Sequence, residues 1–539
     1  MQGLTMDYQL TLPALLKRAE DLFGSKEIVT RLPDKSFHRY TYKDFVRRSK
    51  KLAVALGDLG LEKGDRVATL AWNQYQHLEA YFGVPSAGLV IHTINPRLKG
   101  HEIAYILNHA DDKVLLIDET MAPLLDGFKD EVNLERILVF SASGDAPEGL
   151  QSYEEFIEGG DESAFEYPEL DEDDAAALCY TSGTTGRPKG ALYSHRCLCI
   201  HSLLVCMPDA FGMSVKDTVL PVVPMFHVNA WGIPFAATMI GCKQVFPGPH
   251  MDPESLLDAL EKEKVNFTAG VPTIWLGILQ MLDNDPDKYD LSNLSAMGVG
   301  GSAAPEAMIR GFEERHGLHI IHAWGMTEMA PVGTAGYLTP DLLEEPDDVQ
   351  YKYRAKQGIQ LPFIEIRARG DEGFIEWDGK AMGELEVRGP TVASSYYESP
   401  EGADKFTDDG WFRTGDVVSI DPRGYVEIRD RDKDLVKSGG EWISSVDLEN
   451  HLMGHEAVAE AAVIAIPHPK WDERPLAVVV LKEGQSATPD ELREHLETSF
   501  AKWQLPDAFE FVDEIPRTAT GKFLKMALRE QFEGYELAT

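Results

Sequence analysis

The chain has 539 residues, too many for one compact core, so at least two domains are expected. It is 43% hydrophobic and 26% charged, and no apolar run reaches the roughly 20 residues a membrane-spanning helix needs. The net charge of −38 argues against a nucleic-acid partner, and any polyanionic ligand must be met by local basic residues and a metal ion.

The N-terminal 24 residues lack a basic start followed by an apolar stretch, so no secretory signal is expected and the default location is cytoplasmic. From there to about residue 430, short apolar strands alternate with amphipathic helices. Residues 66–73 and 113–118 read as buried strands, and 42–59 and 100–109 as helices. Such alternation predicts an α/β fold with parallel sheets flanked by helices. Residues 141–174, rich in Gly, Ser, Asp and Glu, read as a surface connection. The five cysteines, Cys179, Cys197, Cys199, Cys206 and Cys242, sit in apolar surroundings with no CxxC pair and read as free, buried thiols.

A second unit begins near residue 433. Residues 457–466, closing at Pro467, and 475–482 read as strands. Residues 488–500 read as a helix with Thr488 at its N-cap, Pro489 first in the helix and Glu491 completing a capping box.

The most informative segment is TSGTTGRPKGALYSH (181–195). Thr181, Ser182, Gly183, Thr184 and Thr185 offer hydroxyls and closely approachable backbone amides, and Arg187 and Lys189 add charge. That is the chemistry of a phosphate-cradling loop. It is not the common P-loop, which requires Gly-Lys followed by Ser or Thr, because Lys189 here precedes Gly190 and Ala191.

Further motifs follow in order: PVVPMFHVNAWG (221–232), GVPT (270–273), VGGSAAP (299–305), WGMTE (324–328), GELEVRGP (383–390), GWFRTGD (410–416), RDRDKDLVKSGGEWIS (429–444) and PRTATGK (516–522). Together with the loop they resemble the adenylate-forming superfamily of acyl-CoA synthetases, adenylation domains and luciferases, over nearly the whole chain. The appearance is nearest to bacterial medium- and long-chain fatty acyl-CoA synthetases.

The resemblance implies a large domain (1–432) with two helix-flanked sheets and a small barrel-like sheet, and a mobile α+β lid (433–539) hinged near Lys433. It implies attack of a carboxylate on the α-phosphorus of ATP, release of pyrophosphate, then transfer of the acyl group to coenzyme A. Lys522 would be the adenylation lysine. Glu328 would bind magnesium, joined by Thr181, and Thr327 would contact phosphate. Asp416 would take the ribose hydroxyls, with Arg431 and Lys433 nearby. Gly300, Gly301, Ser302, His322, Ala323, Trp324 and Gly325 would line the adenine and acyl-adenylate site. Trp324 stands where a tyrosine is more usual, which predicts a wider stacking surface.

After a rotation of the lid, Lys437, Gly439, Gly440, Glu441 and Trp442 would face the coenzyme A arm. His227, Val228 and Trp231 would border the acyl tunnel, Trp231 as an aromatic gate. If that segment is helical, His227 and Trp231, four apart, point the same way. No charged residue stands out near GVPTIWLGIL to pair with a polar acid, so an apolar fatty acid fits best, with 3-methylthiopropanoate or an aryl acid as alternatives. A carrier protein as acyl acceptor is a further alternative, against which the coenzyme A-facing SGGEWIS segment argues. The expected partners are small molecules, with no nucleic acid, and the relatives suggest a homodimer.

Overall fold

A computed structural model describes residues 1, 3–181, 187–400, 402–431, 433–438, 441–518 and 522–535, and all of these but the side chain of Glu441. Four sheets organise them. A seven-stranded sheet runs in the order Gln151–Ser152, Arg136–Phe140, Asp112–Asp118, Arg66–Leu70, Val90–Thr93, Ala175–Tyr180, Gly190–Ser194. Every pair is parallel except the last. Covered on both faces, its central strands are almost continuously apolar; Val114 to Ile117 are all buried.

A nine-stranded sheet centres on the parallel strands Ile320–Gly325, Ala296–Val299, Phe267–Gly270, Thr218–Pro221 and Lys243–Phe246, with antiparallel pairs at both ends. Because four of these strands are parallel neighbours, the segments following them emerge on one edge of the sheet. The segments beginning at residues 222, 271, 300 and 326, which carry four of the motifs, therefore meet in space although far apart in sequence. Ligands of open α/β sheets characteristically bind at this carboxyl edge.

The third sheet is small and antiparallel: Gly373–Phe374, Glu365–Gly370, Gly383–Arg388, Phe412–Ile420, Val426–Arg431. The fourth pairs Glu441–Ile443, Val436–Ser438, Asp472–Leu481 and Val458–His468, with Ala508–Phe511 added in parallel. The helices Ser445–Met453 and Pro489–Glu497 close one of its apolar faces, and Ile515 and Leu528 pack on the other.

Local sequence accounts for several boundaries. Thr41 caps the helix Tyr42–Asp58 and forms a capping box with Asp44. Thr488 and Glu491 do the same for Pro489–Glu497. Two expectations change. The strand starting at Val458 continues through Pro467 to His468; it is an edge strand, where a missing N–H costs no ladder bond. The stretch 141–174 is not only a surface connection. It contains the helix Tyr153–Glu158, whose Tyr153, Phe156 and Ile157 are buried; three apolar residues in one turn suffice to dock it despite the polar surroundings. The cysteines are free: Cys179, Cys197, Cys199 and Cys242 are buried and Cys206 partly so.

Candidate active site

Strand Ala175–Tyr180 delivers the chain to the phosphate loop, and Gly190–Ser194 takes it back antiparallel. The neck of the loop is closed where Thr181 N–H donates to Lys189 O at 2.8 Å. Ser182, Gly183, Thr184 and Thr185 lie outside the described residues. Past the loop, Arg187 lies over the Tyr105 ring at 5.4 Å and Lys189 Nζ over Tyr396 at 5.1 Å.

A cleft of about 600 Å³ opens beside this neck, within the range of small-molecule sites. Thr181, Lys189, His227, Val228, Trp231, Gly300, Gly301, Ala323, Trp324, Gly325, Thr327, Glu328, Arg431, Lys433 and Lys522 all line it. A contiguous chamber of about 210 Å³ adds Ser302, His322 and Asp416. Arg187, Lys189, Lys405, Arg413, Arg431, Lys433 and Lys522 make the cleft basic inside a chain of net charge −38. A focused local field is what an anionic nucleotide needs there.

Glu328 is buried, and its Oε1 accepts the Tyr396 hydroxyl at 2.6 Å. Tyr396 thus contacts both Glu328 and Lys189. No motif marks it, and only the fold brings residue 396 to the loop. The backbone carbonyl of Thr327 accepts from the buried Tyr193 hydroxyl, which fixes the turn carrying Glu328.

Asp416 is 1% exposed. Its Oδ1 meets Arg431 Nε at 2.6 Å and its Oδ2 accepts from Trp324 Nε1 at 2.9 Å. The indole N–H is thus a second, orienting function of Trp324 beyond any stacking surface. Each carboxylate oxygen keeps acceptor capacity for a diol. His322 Nδ1–H donates to Ala355 O at 3.0 Å, and burial pushes the pKa of His322 down to about 4.

Two backbone bonds fix the chain around Lys522, Thr518 N–H to Lys522 O at 2.7 Å and Leu524 N–H to Pro516 O at 2.8 Å. Lys522 projects into the cleft from the C-terminal unit. Burial first, and then Arg431, lower its pKa to about 8, against the partial opposition of Asp416 and Glu328. At His227, burial first and then Lys522 push the pKa down to about 3, so its imidazole is neutral. Lys433 is also lowered by burial.

The segment after His227 departs from expectation. Val228, Asn229, Ala230 and Trp231 have φ of 45, 52, 51 and 56°, and Gly232 has 72°. This is a left-handed turn, so spacing rules for right-handed helices do not apply to His227 and Trp231, although both line the cleft. Left-handed backbone costs roughly 1–2 kcal/mol per non-glycine residue. The turn is held by burial of all four side chains and by Cys179 Sγ, which donates to Asn229 Oδ1 at 3.3 Å. Glycine is required at 232 for a second reason: a Cβ there would lie 2.6 Å from His201 Nδ1. Trp231 packs against Gly300, where a Cβ would meet the indole at 3.0 Å.

Lys437 and Trp442 are not part of the cleft in this arrangement. Lys437 Nζ sits 4.5 Å over the Trp442 ring, and its backbone N–H donates to Glu473. Gly439, Gly440 and the Glu441 side chain lie outside the described residues.

Residues 16–397 match the AMP-binding enzyme family, and 447–522 match the AMP-binding enzyme C-terminal domain. The chain belongs to the AMP-binding enzyme family. It is 50% identical over 534 residues to a long-chain-fatty-acid–CoA ligase of Thermus thermophilus, covering 98% of this chain and 97% of that one. It is 44% identical over 540 residues to a 3-methylmercaptopropionyl-CoA ligase of Ruegeria lacuscaerulensis, covering 99% of each. Among solved structures it superposes on the anthranilate CoA ligase AuaEII in complex with anthranoyl-AMP with a TM-score of 0.87 at 26% identity, covering 98% of this chain and 99% of that one. This AMP-binding enzyme thus spans nearly the whole length of both the Thermus and the Ruegeria CoA ligases.

Proposed function

We propose that this AMP-binding enzyme is an ATP-dependent fatty acid–CoA ligase. A carboxylate oxygen attacks the α-phosphorus of ATP, the bond to the bridging oxygen breaks, and pyrophosphate leaves. The coenzyme A thiol, losing its proton, then attacks the acyl carbon and AMP departs. The observation that carries this reading is the convergence, in one cleft, of Lys522 from the C-terminal unit with Asp416, Glu328 and the neck of the phosphate loop.

Each group has a role its surroundings support. Lys522 places a compact cation on the charge gathering around the α-phosphate, a preorganised electrostatic contribution. Asp416, oriented by Trp324 and Arg431, takes the ribose hydroxyls. Arg187 and Lys189 face the departing pyrophosphate. Neutral His227 lies beside the reacting carboxyl without adding a charge that would compete with Lys522. Glu328 and Thr181 offer the hard oxygen donors magnesium prefers, and the ion would neutralise phosphate charge there.

Lys437 and Trp442 lie outside the cleft while Lys522 lies within it, so the described arrangement suits the first half-reaction. Rotation of residues 433–539 about Lys433 would exchange them for the second. Trp231, packed on Gly300, acts as the gate to an acyl tunnel. A homodimer in the cytoplasm completes the reading, and light scattering tests the assembly.

The relative from Ruegeria supports a second substrate, 3-methylthiopropanoate. The deciding experiment offers C2 to C18 fatty acids, 3-methylthiopropanoate and aryl acids, and reads pyrophosphate, AMP and acyl-CoA together. Highest kcat/KM on a fatty acid with all three products is expected. Preference for the thioether acid selects the second reading, and absence of pyrophosphate with every acid overturns both.

A further inference from the structure

Three residues past Lys522 is a lysine that the chemistry above leaves unused. Lys525 opens the helix Lys525–Gln531, where the helix dipole disfavours a cation and no acidic residue sits in the first turn. It is nevertheless only 10% exposed, with Nζ 2.6 Å from Glu449 Oε1, and it donates to Ser445 Oγ. Glu449 is 8% exposed and also accepts from Val463 N–H. Asp430, 1% exposed, lines the same chamber as Lys525 and Glu449 and accepts the Ser445 backbone N–H at 2.7 Å, so that Ser445 links it to the ammonium. These carboxylates hold Lys525 above the ordinary lysine pKa although burial opposes it. Isolated charges are expensive to bury, so the cage accounts for the lysine's place better than the helix does.

The cage has two owners. Ser445, Glu449 and Lys525 belong to the C-terminal unit. Asp430 belongs to strand Val426–Arg431, paired beside Phe412–Ile420 so that Asp416 faces Arg431 and Val417 faces Asp430. Asp430 is thus fixed relative to the Asp416–Arg431 pair. Lys525 is in turn fixed relative to Lys522 by the Leu524 N–H to Pro516 O bond and the bridge between Arg517 and Phe523.

We propose that Lys525 is a positioning residue for adenylation: its cage fastens the arm bearing Lys522 to the strand bearing Arg431, and so sets Lys522 in the cleft. The proposal rests on Lys522 being the adenylation cation. When the C-terminal unit rotates, Ser445, Glu449 and Lys525 move together while Asp430 stays with Asp416. The docking contact therefore opens, and the role is confined to the first half-reaction.

The test compares Lys525→Met, which keeps length and loses charge, with Lys522→Ala and the double variant. Pyrophosphate exchange reads adenylation, and thioester formation from supplied acyl-adenylate reads the second step and the integrity of the fold. Lys525→Met should lower adenylation kcat on the order of 100-fold, the scale of an ångström of misplacement, with KM for ATP and the second step nearly unchanged. Lys525→Arg should recover part of the loss. The double variant should be no slower than Lys522→Ala, because Lys525 acts through Lys522.

Equal loss in both half-reactions, a multiplied defect in the double variant, or wild-type adenylation in Lys525→Met beside a crippled Lys522→Ala would each overturn the proposal. Intact adenylation in Lys522→Ala would overturn it together with the reading on which it rests. Should Lys525→Met fail to fold, Asp430→Asn carries the same comparison: selective loss of adenylation supports the anchor, and an unchanged rate removes it.

Discussion

Raising the pH from 7 to 9 should switch off the first half-reaction through Lys522 alone. Burial and Arg431 bring its pKa down to about 8, against the partial opposition of Asp416 and Glu328. A lysine whose pKa is lowered loses its charge earlier as pH rises. Roughly ten in eleven of the side chains are ammonium at pH 7 and roughly one in eleven at pH 9, which gives a fall of about tenfold in adenylation kcat/KM. His227 and His322, lowered to about 3 and about 4, stay neutral across this window and contribute no limb of their own. Bound phosphates favour the ammonium, so the limb in kcat at saturating ATP should lie at higher pH than the limb in kcat/KM. The assay is exchange of labelled pyrophosphate into ATP without coenzyme A, whose own thiol ionises in the same range. Lys522→Arg, a cation throughout, should be slower but flat from pH 7 to 9. A flat wild-type profile, or the same falling limb in Lys522→Arg, would refute the reasoning.

Glu328→Ala should raise the magnesium concentration needed for half-maximal adenylation and lower the rate; unchanged magnesium dependence would remove Glu328 from the metal site. Tyr396→Phe removes the hydroxyl that orients Glu328, a bond to a charged group worth about 1.5–3 kcal/mol at most, and should shift the same magnesium curve less. Trp231→Ala should broaden the accepted chain lengths in the acid panel, and an unchanged profile would discard the gate. Trp275→Ala empties a fully buried site whose indole N–H donates to Gly298 O, and should cost about 3–5 kcal/mol in denaturant titration of the N-terminal region; less than 1 kcal/mol would mean the cavity collapses.

The alternation of apolar strands and amphipathic helices made the α/β layers legible, and the capping signal at Thr488 corresponds to a real helix start. Motif order anticipated which segments share a cleft, because parallel strands send their following loops to one edge. What stayed hidden depends on distance in the fold. Tyr396 reaches Glu328 across 68 positions, and Lys525 is caged by residues from 76 to 95 positions away, so neither has a local signature. The left-handed turn was illegible for another reason. Only Asn229 among its four non-glycine residues suits that backbone, and packing, not propensity, selects the conformation.

That turn also bears on how the enzyme can be improved. A search for heat-tolerant variants would be drawn to Val228 and Ala230, where glycine relieves the unfavourable dihedrals without a steric conflict. Each such relief loosens the seat of Trp231, whose indole leans on Gly300. Under the proposed gate role of Trp231, hardiness and substrate discrimination compete within this turn, and gains in the first should be screened for losses in the second.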